Sequence, residues 1–394
     1  MGLEFDMLQT LSLAVVVYLL GMFIKGKVAF FRKYFIPAPV IGGILFSVLA
    51  LILAEKLNFP LVLDTTLQDF FMNIFFTTVG FTISVKILKQ SGKQGFILGI
   101  VAVILLFFQN MIGVGFAKVF NIHPLLGVAM GSTSISGGVG SAVAFGPTFE
   151  AGGAVNATTI GTAAATFGLL MGSLVGGPVA KRLIDKYQLK SSYAKEEVVD
   201  AKESKNIITD NTKMFNSVIA ILVAAGLGTI VGKLLNMTGV TFPYYVGCLF
   251  GGAIIRNLSD AGHFELREKE IDMIGSISLN LFLSLALMSL NLAALVSLAL
   301  PMIVILLAQT FFMMLYASTL TFRSMGKDYE AAVMAAGHCG VGLGQTPNAI
   351  ANMSAVIDEN GPAPNAWFIL PVITVVLINL ANPLIITFFI NMFS

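Results

Sequence analysis

Apolar residues run in long blocks along this chain, interrupted by Gly, Pro or small clusters of charge. A helix needs roughly 20 apolar residues to cross the hydrocarbon core of a bilayer, within a range of about 17–25. The first half supplies five such blocks, at about 8–24, 36–54, 67–88, 95–117 and 155–178. The second half supplies five more, at about 215–235, 242–258, 271–290, 296–320 and 366–390. Two further blocks, about 124–149 and 331–356, are apolar enough to enter a membrane but are crowded with Gly, Ser, Thr and Pro. Those residues weaken or break helices, so these blocks predict re-entrant hairpins. The pattern as a whole predicts an all-α polytopic membrane protein with ten transmembrane helices and two re-entrant hairpins. Composition agrees: of 394 residues, 56% are hydrophobic and 11% charged, too little charge to coat a water-soluble surface of this size.

The basic residues orient the spans. With the N-terminus outside, the cytoplasmic segments hold Lys25, Lys27, Arg32, Lys33, Lys86, Lys89, Lys93, the eight basic residues from Lys181 to Lys213, Arg256, Arg267, Lys269, Arg323 and Lys327. These are 20 of the 23 basic residues. Only Lys56, Lys118 and Lys233 fall outside. Positive-inside bias therefore predicts an N-out, C-out chain, with no Lys or Arg left in mid-membrane. The segment 181–213 carries 14 of the 44 charged residues and reads as a solvated cytoplasmic linker between an N-terminal repeat, 1–180, and a C-terminal repeat, 214–394. The opening Met-Gly-Leu-Glu-Phe-Asp lacks the basic n-region of a cleavable signal, so the first span is expected to be retained. A net charge of +2 implies no polyanionic partner such as nucleic acid. Cys248 and Cys339, and His123, His263 and His338, show neither disulfide nor metal-ligand spacing.

The halves echo each other. Gln109 and Gln309, Gly137 and Gly337, Gly140 and Gly340, and Pro147 and Pro347 each stand 200 residues apart. Upstream, Pro37 with Gly42-Gly43 resembles Pro243 with Gly251-Gly252 at a slightly different offset. Five spans per half is an odd number, so the second half enters the membrane upside down: two inverted five-helix repeats. Interrupted helices in inverted repeats are a recurrent design of secondary transporters.

The chemistry sits in the two hairpins. One reads Ser132-Thr-Ser-Ile-Ser136-Gly137-Gly138-Val-Gly140-Ser141, the other Gly337-His-Cys-Gly340-Val-Gly342-Leu-Gly344-Gln345-Thr346-Pro347-Asn348. Glycine permits a sharp turn and leaves peptide groups uncovered, which costs several kcal/mol per group in hydrocarbon. Such turns are therefore expected to line a cavity. Half-helix N-termini offer N–H groups and a positive dipole end to a carboxylate, and carbonyls and hydroxyls can hold a small hard cation. Close helix packing is the other use of small residues in membranes, and a carbonyl-lined channel filter is a third. His338 could bond a substrate or tie its own loop. Gln109 and Gln309 are expected to satisfy buried backbone. Glu150 is read as a loop residue at the outer surface, with an intramembrane carboxylate as the alternative. Asn156, Thr158, Thr159 and Thr166 mark one polar side of their span, expected to face the hairpin, and Asn348 and Asn352 share a helix face. An enzyme is disfavoured, since no nucleophile–base pair or metal cluster appears.

At these motifs the chain resembles the bacterial glutamate:sodium symporter family. The resemblance covers nearly the whole chain outside the linker. It rests on Ser136-Gly-Gly-Val-Gly140, Ala165-Thr-Phe-Gly-Leu through Gly176-Gly-Pro178, Ala335-Ala-Gly-His-Cys-Gly-Val-Gly-Leu-Gly344, Thr346-Pro347 and Ala349-Ile-Ala-Asn352-Met. It implies sodium-coupled uptake of L-glutamate by a homodimer in the bacterial inner membrane, with elevator-like alternating access. The family's Gly-Gly-x-Gly element falls on Gly137, Gly138 and Gly140. Val139 stands where relatives often carry His, which speaks against an essential side chain there. On this reading the substrate lies between the hairpins, against Ser136, Gly137, Gly138, Gly140, Ser141, Gly340, Gly342, Gln345, Thr346 and Asn348. The sodium ligands would come from Thr133, Ser134 and Asn156. A sodium-coupled carrier of another di- or tricarboxylate and an ion channel are the competing readings.

Overall fold

The computed structural model describes residues 3–57, 59–192, 211–237, 242–290, 295 and 298–394. Of the expected linker, 193–210 lies outside the described residues. The first half runs β1 (Leu3–Phe5), α1 (Met7–Lys27), α2 (Ala29–Lys33), α3 (Ala38–Leu57), β2 (Leu61–Leu63), α4 (Thr66–Gly80), α5 (Val85–Gln90), α6 (Gly92–Val119), α7 (Pro124–Ala129), α8 (Ser132–Ile135), α9 (Gly138–Ala151) and α10 (Ala157–Tyr187). The second runs α11 (Asn211–Asn236), α12 (Tyr244–Asp260), α13 (Glu268–Leu287) and α14 (Ala299–Tyr316), which continues through a π-helical turn, Ala317–Thr321, into a last turn, Phe322–Ser324. Then come α15 (Tyr329–Leu343), α16 (Thr346–Asn360) and α17 (Pro364–Phe393).

Among the described residues, nine helical segments are long and apolar enough to cross a bilayer. The tenth expected span is α12, which forms but is only 17 residues long. Its last turn spends Arg256, Asn257 and Asp260 on polar contacts, so its apolar part is short. Segment 66–90 spans only if α4 and α5 are counted together across a break at Phe81–Ser84. Asn257 of α12 covers that break: its Nδ2 donates to the Ile83 carbonyl at 2.8 Å, and its Oδ1 accepts from Val85 N at 2.9 Å. The chain is also not wholly helical. Leu3–Phe5 and Leu61–Leu63 form a parallel two-stranded ladder pairing Leu3 with Leu61. Three residues are too few for an alternation pattern to register in the sequence.

Helix order repeats between the halves. Met7 and Asn211, Ala38 and Tyr244, Thr66 and Glu268, Gly92 and Ala299, Pro124 and Tyr329, Gly138 and Thr346, and Ala157 and Pro364 begin corresponding elements, at offsets from 202 to 208 residues. The constant offset of 200 is therefore corrected. Gly337 and Gly340 lie inside α15, whereas Gly137 precedes α9. Pro147 lies within α9, whereas Pro347 is in the first turn of α16. The upstream glycine pair does keep its role. An added Cβ on Gly42 would meet the Val17 carbonyl of α1 at 2.1 Å, and one on Gly251 the Ala224 carbonyl of α11 at 2.2 Å. Gly43 likewise abuts Leu287 of α13 at 2.5 Å, and Gly252 the Thr77 carbonyl of α4 at 2.2 Å. Each pair lets its helix approach two neighbours at backbone distance, the usual basis of helix association in lipid.

The helices pack in two bodies. In one, α12 lies on α11 and α4, α13 on α3 and α4, and α1 on α3. In the other, α10 lies on α9, α15 and α16, while α6 packs on α7, α14 and α17. The bodies meet where α9 touches α13 and where α17 touches α4 and α5. Tyr245 of α12 sits at this seam between Phe76 of α4 (centroids 4.3 Å) and Phe145 of α9 (5.2 Å).

Candidate transport site

Both blocks expected to form hairpins are broken helices of the second body. In the first, the chain leaves α8 at Ile135, passes Ser136 and Gly137, and restarts at Gly138 with φ of +71°. A side chain at that φ carries a steric cost of roughly 1–2 kcal/mol. An added Cβ there would also stand 2.7 Å from Gln345 Nε2. Gly137 serves as the N-cap of α9, with no side-chain cap, so the first N–H groups of α9 are not covered by a capping side chain.

The second break is built from side chains. α15 ends at Leu343, Gly344 turns, and Gln345 caps α16. Gln345 and Asn348 form a reciprocal capping box, Asn348 Oδ1 accepting from Gln345 N at 3.2 Å. Asn348 Nδ2 also donates to the Leu169 carbonyl of α10 at 2.9 Å and to Ser173 Oγ. Asn352 Nδ2, one turn on, donates to the Gly172 carbonyl at 2.8 Å. The shared face of Asn348 and Asn352 thus lies on α10.

The breaks meet. Gln345 lies over Gly138, and Ser136 Oγ donates to Gln109 Oε1 at 2.7 Å and lies 3.2 Å from the Gly342 carbonyl. Gln109 Nε2 donates to that carbonyl at 2.6 Å, and Gln309 Nε2 donates to the Gln109 carbonyl at 2.7 Å. The paired glutamines satisfy buried backbone as expected and also cross-link α6, α14 and both breaks. Gln309 Oε1 is buried without a hydrogen-bond partner. Gly140 faces Phe75 and Leu279 of the other body, and Ser141 is half-buried beside Gly137. Gly340 sits a turn inside α15, and Gly342 is its penultimate residue. Gly340 admits α16, an added Cβ falling 2.4 Å from Ala349 N, while Gly342 faces Met313 and Leu105.

Thr133 and Ser134 lie together in α8. Thr133 Oγ1 is buried without a partner, whereas the Ser134 hydroxyl donates to the Ala129 carbonyl. Gly161 of α10 abuts Ser134 Oγ at 3.2 Å. Asn156 caps the same helix in a left-handed conformation, φ +62°, about a turn and a half further along the axis. Of the residues expected to face the hairpin, Thr158 lies against Gly146 of α9, while the Thr166 hydroxyl donates back to the Thr162 carbonyl of its own helix. His338 is buried, its Nδ1 2.9 Å from Thr321 Oγ1 in the π turn, while its Nε2 has no partner. Glu150 is exposed as expected but lies in the last turn of α9 rather than in a loop, and its carboxylate accepts from Thr158 N at 3.0 Å, tying the end of α9 to the start of α10.

Other polar ties were not legible in sequence. Asn110 Oδ1 accepts from Ser132 N at 2.9 Å, and Ser132 Oγ donates to Asn382 Oδ1 at 2.6 Å, pinning α8 between α6 and α17. Asn residues within two apolar spans were the available signal, but Asn110 adjoins Gln109 and Asn382 is one of several Asn in α17. Arg256, counted as a cytoplasmic charge, is only 8% exposed and pairs with Asp260 at 3.2 Å and Glu268 at 2.5 Å. It lines a cavity of about 310 Å³ between the two bodies, together with Thr82, Asp272, Val375 and Thr346 of the second break. Among the described residues, no group of three or more His, Cys, Asp or Glu could hold a metal ion.

The sodium/glutamate symporter family model matches residues 3–362. The sodium/glutamate symporter of Escherichia coli (strain K12) is 40% identical over 386 residues, 97% of this chain and 96% of that protein. That of Haemophilus influenzae is 37% identical over 389 residues, again 97% and 96%. Chain and relatives thus correspond end to end, through both breaks and both bodies. A multi-helix membrane architecture with two broken helices meeting tip to tip accompanies this match, and the chain belongs to the sodium/glutamate symporter family, a family of transporters rather than enzymes.

Proposed function

We propose that this protein is a sodium-coupled symporter that imports L-glutamate across the bacterial inner membrane. The observation that carries the reading is the meeting of the two breaks at Gly138 and Gln345, in a chain whose relatives bear the name sodium/glutamate symporter. The N–H groups opening α9, with Ser136, Gly137, Gly138, Gly140 and Ser141, receive a carboxylate. Gln345 and Thr346 complete the site from the other side. Gly340, Gly342 and Asn348 hold the second break in place. Thr133 and Ser134 supply sodium ligands, with Asn156 at the far end of the same α8–α10 contact. Their hydroxyl, amide and carbonyl oxygens suit a hard cation.

The halves 1–180 and 214–394 are inverted repeats, both termini are periplasmic, and the broken helices are re-entrant. The body holding α6–α10 and α14–α17 moves against the body holding α1, α3, α4 and α11–α13, which forms a homodimeric scaffold. The apolar seam of Phe76, Phe145 and Tyr245 supports such sliding, since it carries few directional bonds. The cavity beside Arg256 and Thr346 is the inward vestibule.

Purified protein in liposomes is expected to accumulate labelled glutamate only under an inward sodium gradient. Uptake that persists without sodium rejects the coupling, and flux that neither saturates nor accumulates solute identifies a channel. Stronger competition by a di- or tricarboxylate than by glutamate would reassign the substrate.

A further inference from the structure

The ends of α10 and α14 enclose a groove of about 280 Å³ lined by Pro178, Arg182, Lys186, Phe311, Met314, Leu315, Ser318 and Arg323, among others. Three cations ring its mouth: Arg182 and Lys186 one turn apart on α10, and Arg323 on the turn that ends α14. No carboxylate lines it, and no described acid forms an ion pair with any of the three. The neighbouring groove beside Lys181 differs, because Asp185 and Glu359 share its wall. Inward from the cations the lining turns apolar. Ile303, Leu307, Phe311 and Leu315 recur every fourth residue along α14 and are 50%, 51%, 71% and 52% exposed. Phe311 lies about 18 Å along the helix axis from Arg323. A cationic mouth above a lipid-facing apolar stripe is complementary to a molecule with an anionic head and acyl tails.

We propose that this groove binds one anionic phospholipid, its phosphate held by Arg182, Lys186 and Arg323 and its chains laid along the α14 stripe. The π turn, Ala317–Thr321, supplies part of the wall through Ser318 and Thr319. The same turn carries Thr321, whose hydroxyl lies 2.9 Å from His338 Nδ1 of α15. A bound headgroup therefore rests on the turn that supports the second broken helix.

The test uses the full chain and reads binding directly. Protein from vesicles of phosphatidylcholine with phosphatidylglycerol is delipidated and weighed by native mass spectrometry. One phosphatidylglycerol is expected to survive delipidation, and glycerol phosphate in excess does not displace it. Each cation near a charged lipid surface strengthens binding roughly fivefold, so the triple variant Arg182→Gln, Lys186→Gln, Arg323→Gln loses at least about tenfold in retention. The paired variant Lys181→Gln, Asp185→Asn in the adjacent groove retains the lipid. Equal retention by the triple variant, equal retention of phosphatidylcholine, or displacement by glycerol phosphate overturns the proposal.

Discussion

The two broken helices reach the same place by different chemistry. The first break is made by backbone: Gly138 takes a left-handed φ, Gly137 caps α9 without a side chain, and the tip is small enough for Gln345 to lie on it. The second is made by side chains: Gln345 and Asn348 cap each other, and Asn348 and Asn352 bond the carbonyls of α10. A capping box covers two backbone N–H groups at a helix end, whereas a glycine N-cap offers no side chain to cover any. The asymmetry favours the proposed placing of the carboxylate at the first break, with the second break left to orient and close.

The sharpest way to break that assignment is Gly138→Ala. The substitution places a Cβ at positive φ and against Gln345 Nε2, so the tip must open. Two hydrogen bonds to a charged group, at about 1.5–3 kcal/mol each, correspond to on the order of 100-fold or more in glutamate affinity. Sodium-driven uptake of labelled glutamate should fall by that factor while the variant remains in the membrane at near-normal amount. Uptake within a few-fold of the parent would sink the idea that the first break is the anion cradle.

A smaller loss is expected at the hub that holds both breaks. Gln109→Ala strips the Gly342 carbonyl of its amide donor and the Ser136 hydroxyl of its nearer acceptor, while the Gln309 bond, made to the Gln109 main-chain carbonyl, remains. Leaving buried polar groups unpaired costs about 1–3 kcal/mol. Thermal unfolding in detergent should shift down, and uptake should fall roughly tenfold by the same free-energy scale. Ser136→Ala, which leaves the Gln109–Gly342 bond in place, should cost less. An uptake loss larger than its shift in unfolding is expected if Ser136 meets the carboxylate as proposed; losses that track the unfolding shift alone would confine Ser136 to the hub.

The unequal legibility of the two breaks has a physical basis. Long apolar blocks and clustered glycine announce spans and interruptions, because lipid admits few alternatives. Nine of the ten expected helices therefore meet the length and hydropathy of a span, and both interruptions fall inside their expected blocks. The break at Gly137–Gly138 was visible because its conformation needs glycine. That at Gly344–Gln345 was partly masked by Gly337, Gly340 and Gly342, which serve packing within α15. A repeated residue type carries no label for which use it has. The Arg256 cluster was hidden for a different reason: a charge near a helix end looks solvated until the neighbouring helix covers it. Asn110 and Asn382 were hidden because their partner, Ser132, is 22 and 250 residues away.

Gln345→Ala sharpens the same contrast at lower amplitude. It removes the second helix's cap, which costs about 0.5–2 kcal/mol, and the neutral amide over Gly138, about 0.5–1.5 kcal/mol. Glutamate KM should rise roughly three- to tenfold, in line with that second figure, with maximal velocity changed less. Gln345→Glu should do worse than Ala, because a carboxylate over the first tip repels the substrate's own. If Glu is tolerated and Ala is not, the side chain acts only as a cap, and the second break contributes nothing to recognition.

The smallest effect is expected at the end of α9 far from the first break, where α9 gives way to α10. Glu150 is the carboxylate of the helix that the first break opens, so it tests whether the backbone cradle works alone. Its geometry argues that it does: the side chain is exposed, and its oxygen accepts from Thr158 N, which begins a helix rather than facing a break. An amide oxygen can accept the same bond, and exposed substitutions of this kind usually move stability by no more than about 0.5 kcal/mol. Glu150→Gln should therefore leave glutamate KM within about twofold and the sodium dependence of uptake unshifted. A flattened sodium curve with normal glutamate binding would show that a carboxylate takes part in ion coupling. The division of labour between a bare first tip and a capped second tip would then describe the anion alone, with the cation held from the last turn of α9.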